Sequence, residues 1–328
     1  MYFFFSNHFL KKKTVICNIK QISILKNNIL KAHLALFGAN LIYGVNYLIA
    51  KGVMPNKIGP SAFVFLRILG AGVLFWVLKY FIKETIEKKD FPRLIVCGLL
   101  GVAVNQLLFF HGLSLTSPID ASIIITFIPV FTVVFSAFIL KDKITTNKLL
   151  GITTGGIGAV LLITYGNQTE GTSSLLGNLF VFINAASYGL YLVLAKPLMK
   201  KYNALTVISW VFLFGFLFMF PVGINDVMST DFSAFTAQTY GAIAFVIIGT
   251  TFLTYLFNIY ALNYVSPAVT GSYVYLQPAV SFIMVSIYAY VLGFTEYAQD
   301  INLVKIISCF LVVIGVYLIS KKKKLFNF

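Results

Sequence analysis

Charge is what this sequence of 328 residues has least of. Only 11% of its residues are Asp, Glu, Lys or Arg, against roughly 25% in a soluble domain. That scarcity excludes water as the main solvent. Cysteine is scarcer still: Cys17, Cys97 and Cys309 are scattered, two of them inside apolar runs. Without CxxC or metal-ligand spacing, neither a disulfide framework nor a metal site is expected, and the thiols read as packed and reduced. The chain also has no HExxH, no GxSxG turn and no GxxxxGK[ST] loop. Zinc-peptidase, serine-hydrolase and ATP-driven chemistry therefore lack their residues, which points away from an enzyme, and no cofactor is called for. The formal charge of +15 is not a nucleic-acid signature either, because the lysines cluster briefly between apolar runs. A nucleic-acid surface would interleave them with aromatics in a stripe.

What the chain has in abundance is apolar length. Hydrophobic residues make up 59% of it and the mean hydropathy is +0.90. Ten segments stand out: about 31–50, 61–82, 93–113, 118–140, 148–165, 175–195, 205–223, 239–262, 267–292 and 302–320. Runs of about 20 residues at 1.5 Å rise cross a hydrocarbon core of about 30 Å, so each reads as a transmembrane helix and the bilayer is the first partner. The connections are short and polar apart from 83–92, 166–174 and 224–238. Function is therefore expected inside the bundle.

Lysine placement predicts the orientation. With a cytoplasmic amino terminus, the inner segments hold Lys11 to Lys13, Lys20, Lys26, Lys31, Lys79, Lys83, Lys88, Lys89, Arg93, Lys141, Lys143, Lys148, Lys196, Lys200, Lys201 and Lys321 to Lys324. The outer segments hold Lys51, Lys57 and Lys305. That asymmetry places both termini in the cytoplasm, in a cell membrane. Residues 1–30 read as a cytoplasmic tail, either poorly ordered or interfacial with Val15, Ile19, Ile22 and Ile29 on one face. Residues 321–328 form a second, basic tail.

An internal repeat organises the rest. Ser117-Pro118 with Pro129 recurs as Ser266-Pro267 with Pro278, 149 residues later. Tyr43-Gly44 with Ala50-Lys51 recurs as Tyr188-Gly189 with Ala195-Lys196, 145 residues later. Two five-helix halves, 31–165 and 175–320, account for both matches. Because five is odd, the second half enters the membrane from the opposite side. The fold class is thus an all-α polytopic membrane protein of ten transmembrane helices, arranged as two inverted five-helix repeats around a central cavity. Such halves suit alternating access to a small-molecule substrate, since one mouth can close as the other opens. Pro118 and Pro267 fall in first helical turns capped by serine, where a missing N–H is harmless. Pro129 and Pro278 fall within their helices and break a backbone bond, making either hinges or static kinks.

The five-plus-five layout, the Ser-Pro starts and mid-helix prolines of spans four and nine, Arg67 in span two, and Leu292-Gly293 with Glu296 resemble EamA-type members of the drug/metabolite transporter superfamily. The resemblance runs over about 31–320. It departs where span four ends in Leu140-Lys141-Asp142 rather than Gly-Glu, and where Phe294 and Thr295 separate the pair in the second half. It implies a secondary transporter, an exporter by direction, with a central cavity lined by spans one, three, four, six, eight and nine. A channel-like or structural subunit is the alternative.

Polar side chains at membrane depth are costly unless they face a cavity or another helix. The candidate wall is Tyr43 and Asn46 in span one, Tyr188 and Tyr191 in span six, Asn105 and Gln106 in span three, Tyr255 and Asn258 in span eight, and Tyr273 and Gln277 in span nine. With amides, hydroxyls and rings but no fixed charge, it suits neutral, zwitterionic or amphipathic metabolites such as amino acids. Ionisable groups within the spans are few: Arg67, His111 and Asp120. One reading pairs Arg67 with Asp120 beside His111 as an outer gate or proton site; the other has Arg67 snorkelling to the headgroups and Asp120 exposed in a first turn. Gly151, Gly155 and Gly158 permit close helix approach, within the fold or in a homodimer.

Overall fold

The computed structural model describes residues 3–141, 144–165, 173–265, 270, 273–294 and 299–320, with side chains from residue 27 onward except at 163, 316, 319 and 320. Among the described residues the regular structure is entirely helical. The spans are Asn27–Val53, Pro60–Tyr80, Lys88–Leu115, Pro118–Ile139, Thr146–Tyr165, Leu175–Lys201, Ala204–Ser229, Ala237–Leu262, Tyr273–Val291 and Leu303–Ser320, numbered one to ten below. Eight of them are long and apolar enough to cross a membrane, and Leu303–Gly315 in span ten is a shorter apolar stretch. The helix of span one continues back to Phe3 without a break. Large apolar side chains such as Val73, Phe138, Val160 and Phe310 stand exposed around the bundle. In water such a surface would be a liability; here lipid covers it.

Local chemistry sets the helix starts. Ser117, Ser174 and Thr236 each accept from the backbone N–H three residues on, while Pro60 and Pro118 open their helices. Ser266, Pro267 and Glu296 lie outside the described residues. Pro129 sits at the start of a second helical piece, Ile128–Ile139, separated from Pro118–Ile125 by a turn at Thr126 and Phe127. Pro278 likewise follows a 3₁₀ turn, Tyr273–Tyr275. Both prolines therefore lie just beyond a helix break, where the missing N–H costs little.

The repeat is visible in the packing, not only in the letters. A Cβ on Gly44 of span one would fall 2.5 Å from Val280 Cβ and 3.3 Å from the Gln277 carbonyl of span nine. One on Gly189 of span six would fall 2.8 Å from Phe131 Cβ and 3.3 Å from the Ile128 carbonyl of span four. Phe131 and Ile128 stand 149 residues before Val280 and Gln277. The first span of each half thus crosses the fourth span of the other at a glycine. The same exchange relates Gly70 of span two against Ile247 of span eight to Gly215 of span seven against Val102 and Gly98 of span three. Spans three and eight each contain a π-helical stretch at equivalent places, Leu99–Val104 and Phe245–Leu253.

Spans five and ten pack on each other. A Cβ on Gly315 would come within 2.5 Å of Gly155 N and 2.6 Å of the Gly151 carbonyl, and one on Gly158 within 2.9 Å of Leu311 Cβ. The glycine stripe proposed for either role is therefore occupied within the fold, and the homodimer alternative loses that surface.

Candidate functional site

Where the two halves meet, span one supplies polar side chains at helical spacing. Asn40, Tyr43 and Tyr47 face spans eight and nine, and Asn46 joins them from the next turn. Tyr47 donates to Gln277 Oε1 at 2.7 Å, Gln277 Nε2 donates to Asn40 Oδ1 at 2.9 Å, Thr250 Oγ1 donates to Asn46 Oδ1 at 3.1 Å, and Thr254 Oγ1 lies 2.9 Å from the Tyr43 hydroxyl. All four contacts join the first half to the second. Asn46 and Gln277 are 3% and 4% exposed, so these polar groups are satisfied by one another rather than by water.

A phenolic cluster continues the seam. Tyr188 and Tyr191 have ring centroids 5.4 Å apart, Tyr188 and Tyr255 share a hydrogen bond, and Tyr255 meets Phe75 and Phe212 edge-on. Gly101 lets Tyr191 lie against span three, since a Cβ there would fall 2.5 Å from its ring. All ten residues expected in the wall, Tyr43, Asn46, Asn105, Gln106, Tyr188, Tyr191, Tyr255, Asn258, Tyr273 and Gln277, are buried or half-buried. Three of them bond elsewhere. Asn105 and Asn184 exchange side-chain-to-backbone bonds between spans three and six, Asn258 donates to the Thr254 carbonyl of its own helix, and Tyr273 bonds His33 Nδ1 at 2.7 Å.

The ionisable trio does not assemble as expected. Arg67 is 8% exposed and turned inward: its Nε donates to Thr251 Oγ1 at 2.5 Å and its guanidinium carbon lies 4.9 Å from the Phe110 ring centroid. It neither pairs with Asp120 nor snorkels. The seam therefore holds a fixed positive charge, which corrects the expectation of an uncharged wall. His111 Nε2 contacts Ser61 Oγ at 3.1 Å.

Asp120 is neither exposed nor joined to arginine. Lys305, at the start of span ten, places its Nζ 2.9 Å from Asp120 Oδ1 and 3.2 Å from Asp300 Oδ1, with all three side chains fully buried. Ser117 Oγ at 3.4 Å and Ser173 Oγ at 2.9 Å share the third ammonium proton, and Asn178 Nδ2 donates to Asp120 Oδ2 at 3.3 Å. Thr116 hydrogen-bonds Asn178 alongside. The starts of spans four, six and ten are thereby tied at one end of the bundle. That connection requires span five to cross completely between Lys148 and Tyr165, as the odd-numbered repeat demands. Lys305 was placed only in an outer segment by the charge pattern; the signal that pointed further was a lysine at the head of an apolar helix, which needs a partner.

The opposite end carries exposed ion pairs. Lys201 Nζ, ending span six, lies 2.7 Å from Glu87 and 2.6 Å from Asp90, at the start of span three. Hydrogen bonds from Lys201 and then Lys89 hold the Glu87 carboxyl below the usual carboxylate range. A depressed folded-state value means that the contribution is present above the ordinary carboxylate pKa and is lost as pH falls through the depressed one. Wild type is therefore expected to exceed Glu87→Gln in thermal stability near neutral pH by a small margin. The margin disappears below the carboxylate range, as melts at stepped pH will show; a constant gap would refute the linkage.

A bundle of lipid-covered helices whose two interchanged halves meet along a buried polar seam defines a membrane transporter class of protein. Residues 30–164 and 175–321 match the EamA-like transporter family, and the chain belongs to it. It is 28% identical over 292 residues to the uncharacterized transporter YyaM of Bacillus subtilis, covering 88% of this chain and 92% of that one. The uncharacterized transporter YetK of the same organism is 26% identical over 258 residues, covering 77% and 78%. A probable terminal-alkyne amino-acid exporter of Streptantibioticus cattleyicolor is 28% identical over 134 residues, 41% of this chain and 44% of its own. A protein of known crystal structure shares the fold with a TM-score of 0.58 at 18% identity, over 88% of this chain and 96% of that one.

Proposed function

We propose that this chain is a secondary, non-ATP transporter that carries small metabolites out of the cell by alternating access, amino acids or other neutral, zwitterionic or amphipathic solutes among them. The observation that carries the reading is the hydrogen-bonded seam from span one to spans eight and nine. These are neutral contacts between halves that can be exchanged for contacts with a solute as the halves rock. The glycine crossings at Gly44 and Gly189 support it, because equivalent pivots in both halves permit equivalent motions. Both termini lie in the cytoplasm of a cell-membrane protein, following the lysine asymmetry. In that frame Asp120, Lys305 and Asp300 form the outer closure in place of an Arg67–Asp120 pair, with His111 outside the ion cluster. Pro129 and Pro278 act as hinges at the breaks ahead of them. The amino-acid exporter among the partial relatives agrees with the substrate class.

Purified protein in liposomes preloaded with unlabelled amino acid is expected to show saturable counterflow of the labelled solute without ATP. Conductance that rises linearly with concentration, without counterflow, would establish a channel instead.

A further inference from the structure

We propose that Arg67 is the docking point for a carboxylate of the transported solute, with the Gln106 side-chain carbonyl accepting from its ammonium group; the inference rests on the transport reading above. A guanidinium buried at membrane depth is costly unless an anion or a full set of acceptors meets it. Among the described residues no carboxylate lies within ion-pair distance of Arg67. Asp120 and Asp300 engage Lys305, while Glu87 and Asp90 engage Lys201 at the far end of the bundle.

One edge of the guanidinium is fixed and, among the described residues, the other has no hydrogen-bond partner. Nε is held by Thr251, whose own hydroxyl is oriented by donating to the Val246 carbonyl at 2.9 Å across the π-helical stretch of span eight. Phe110 supports the plane of the group. The planar fork beyond Nε has the spacing that receives the two oxygens of a carboxylate. Tyr43 of span one and Tyr255 of span eight lie within its electrostatic reach, which sets the group close to the seam.

A second, independent observation points to the other pole of the ligand. Gln106 is 3% exposed, and its Oε1 is buried without a hydrogen-bond partner. Gln106 precedes Phe110 by four residues in one α-helical stretch, Asn105–Leu115, so it occupies the same helix face one turn away from the ring beneath Arg67. Through Phe110, a donor-seeking amide oxygen on span three is thus linked to an anion-seeking guanidinium on span two. Zwitterions supply both.

The purified full-length chain is to be titrated with the proteinogenic L-amino acids and with their carboxamides, reading thermal stabilisation. At least one acid is expected to stabilise wild type, with its carboxamide binding at least tenfold more weakly. Arg67→Gln is expected to abolish the stabilisation, and Gln106→Leu to remove the preference for the amino acid over its deaminated analogue. Equal binding of acid and amide overturns the proposal, as does binding that survives Arg67→Gln or stabilisation by none of the acids. Should Arg67→Gln fail to fold, the acid-against-amide comparison in wild type decides alone. Saturable counterflow of a carboxylate-free amine such as phenethylamine, with no acid bound, leaves transport standing and removes the carboxylate site. Acid binding with no saturable counterflow of any solute defeats the transport reading instead.

Discussion

Lys305→Met is expected to destabilise the protein more than any other single change of charge in it, by roughly 3–5 kcal/mol, because it leaves two carboxylates buried without their cation. The ammonium now satisfies Asp120, Asp300, Ser117 and Ser173 at once, and no solvent reaches the site to take its place. Loss of the folded fraction after graded heating, followed by size-exclusion chromatography, will measure it. Asp120→Asn is expected to cost less, since Lys305 keeps Asp300 and Asn178 keeps an amide oxygen to bond. The two changes together are expected to cost less than their sum, because the residues share one network. Lys57, whose side chain stands exposed at the same end, provides the control: its replacement should stay within about 0.5 kcal/mol. A Lys305→Met protein as stable as that control would refute the account of the triad.

Gly44→Val and Gly189→Val are expected to abolish counterflow while leaving a membrane-inserted protein. Each added side chain starts from a Cβ that already collides with its neighbour, at 2.5 Å from Val280 in one case and 2.8 Å from Phe131 in the other. Overpacking of this kind costs roughly 1–3 kcal/mol and is relieved by separating the helices. Separation at Gly44 pulls Tyr47 from Gln277, so the damage falls on the seam first. Gly52 and Gly156, around which a Cβ meets nothing within 4 Å, are the matched controls and should tolerate alanine. Equal counterflow in Gly44→Val and wild type would show that the crossing is not part of the moving interface.

Apolar run length determined the ten spans, and the odd number of spans per repeat determined their inversion, because both are properties of chain order and solvent. Lysine asymmetry predicted the orientation for the same reason. The candidate wall was drawn from polar side chains that interrupt an apolar helix face. That signal does not separate a group turned to a solute from one bonded within its own helix, as at Asn258, or to a neighbouring helix, as at Asn105, Asn46 and Gln277.

Partner choice was decided by the tertiary structure alone. Which carboxylate faces which cation depends on helix rotation and on contacts between residues far apart in sequence. So Lys305 took Asp120, 185 positions away, and Arg67 took Thr251, 184 positions away. Spacing along one helix tells which residues share a face; it carries no information about what stands across from that face, and the chemistry of this site lies in what stands across.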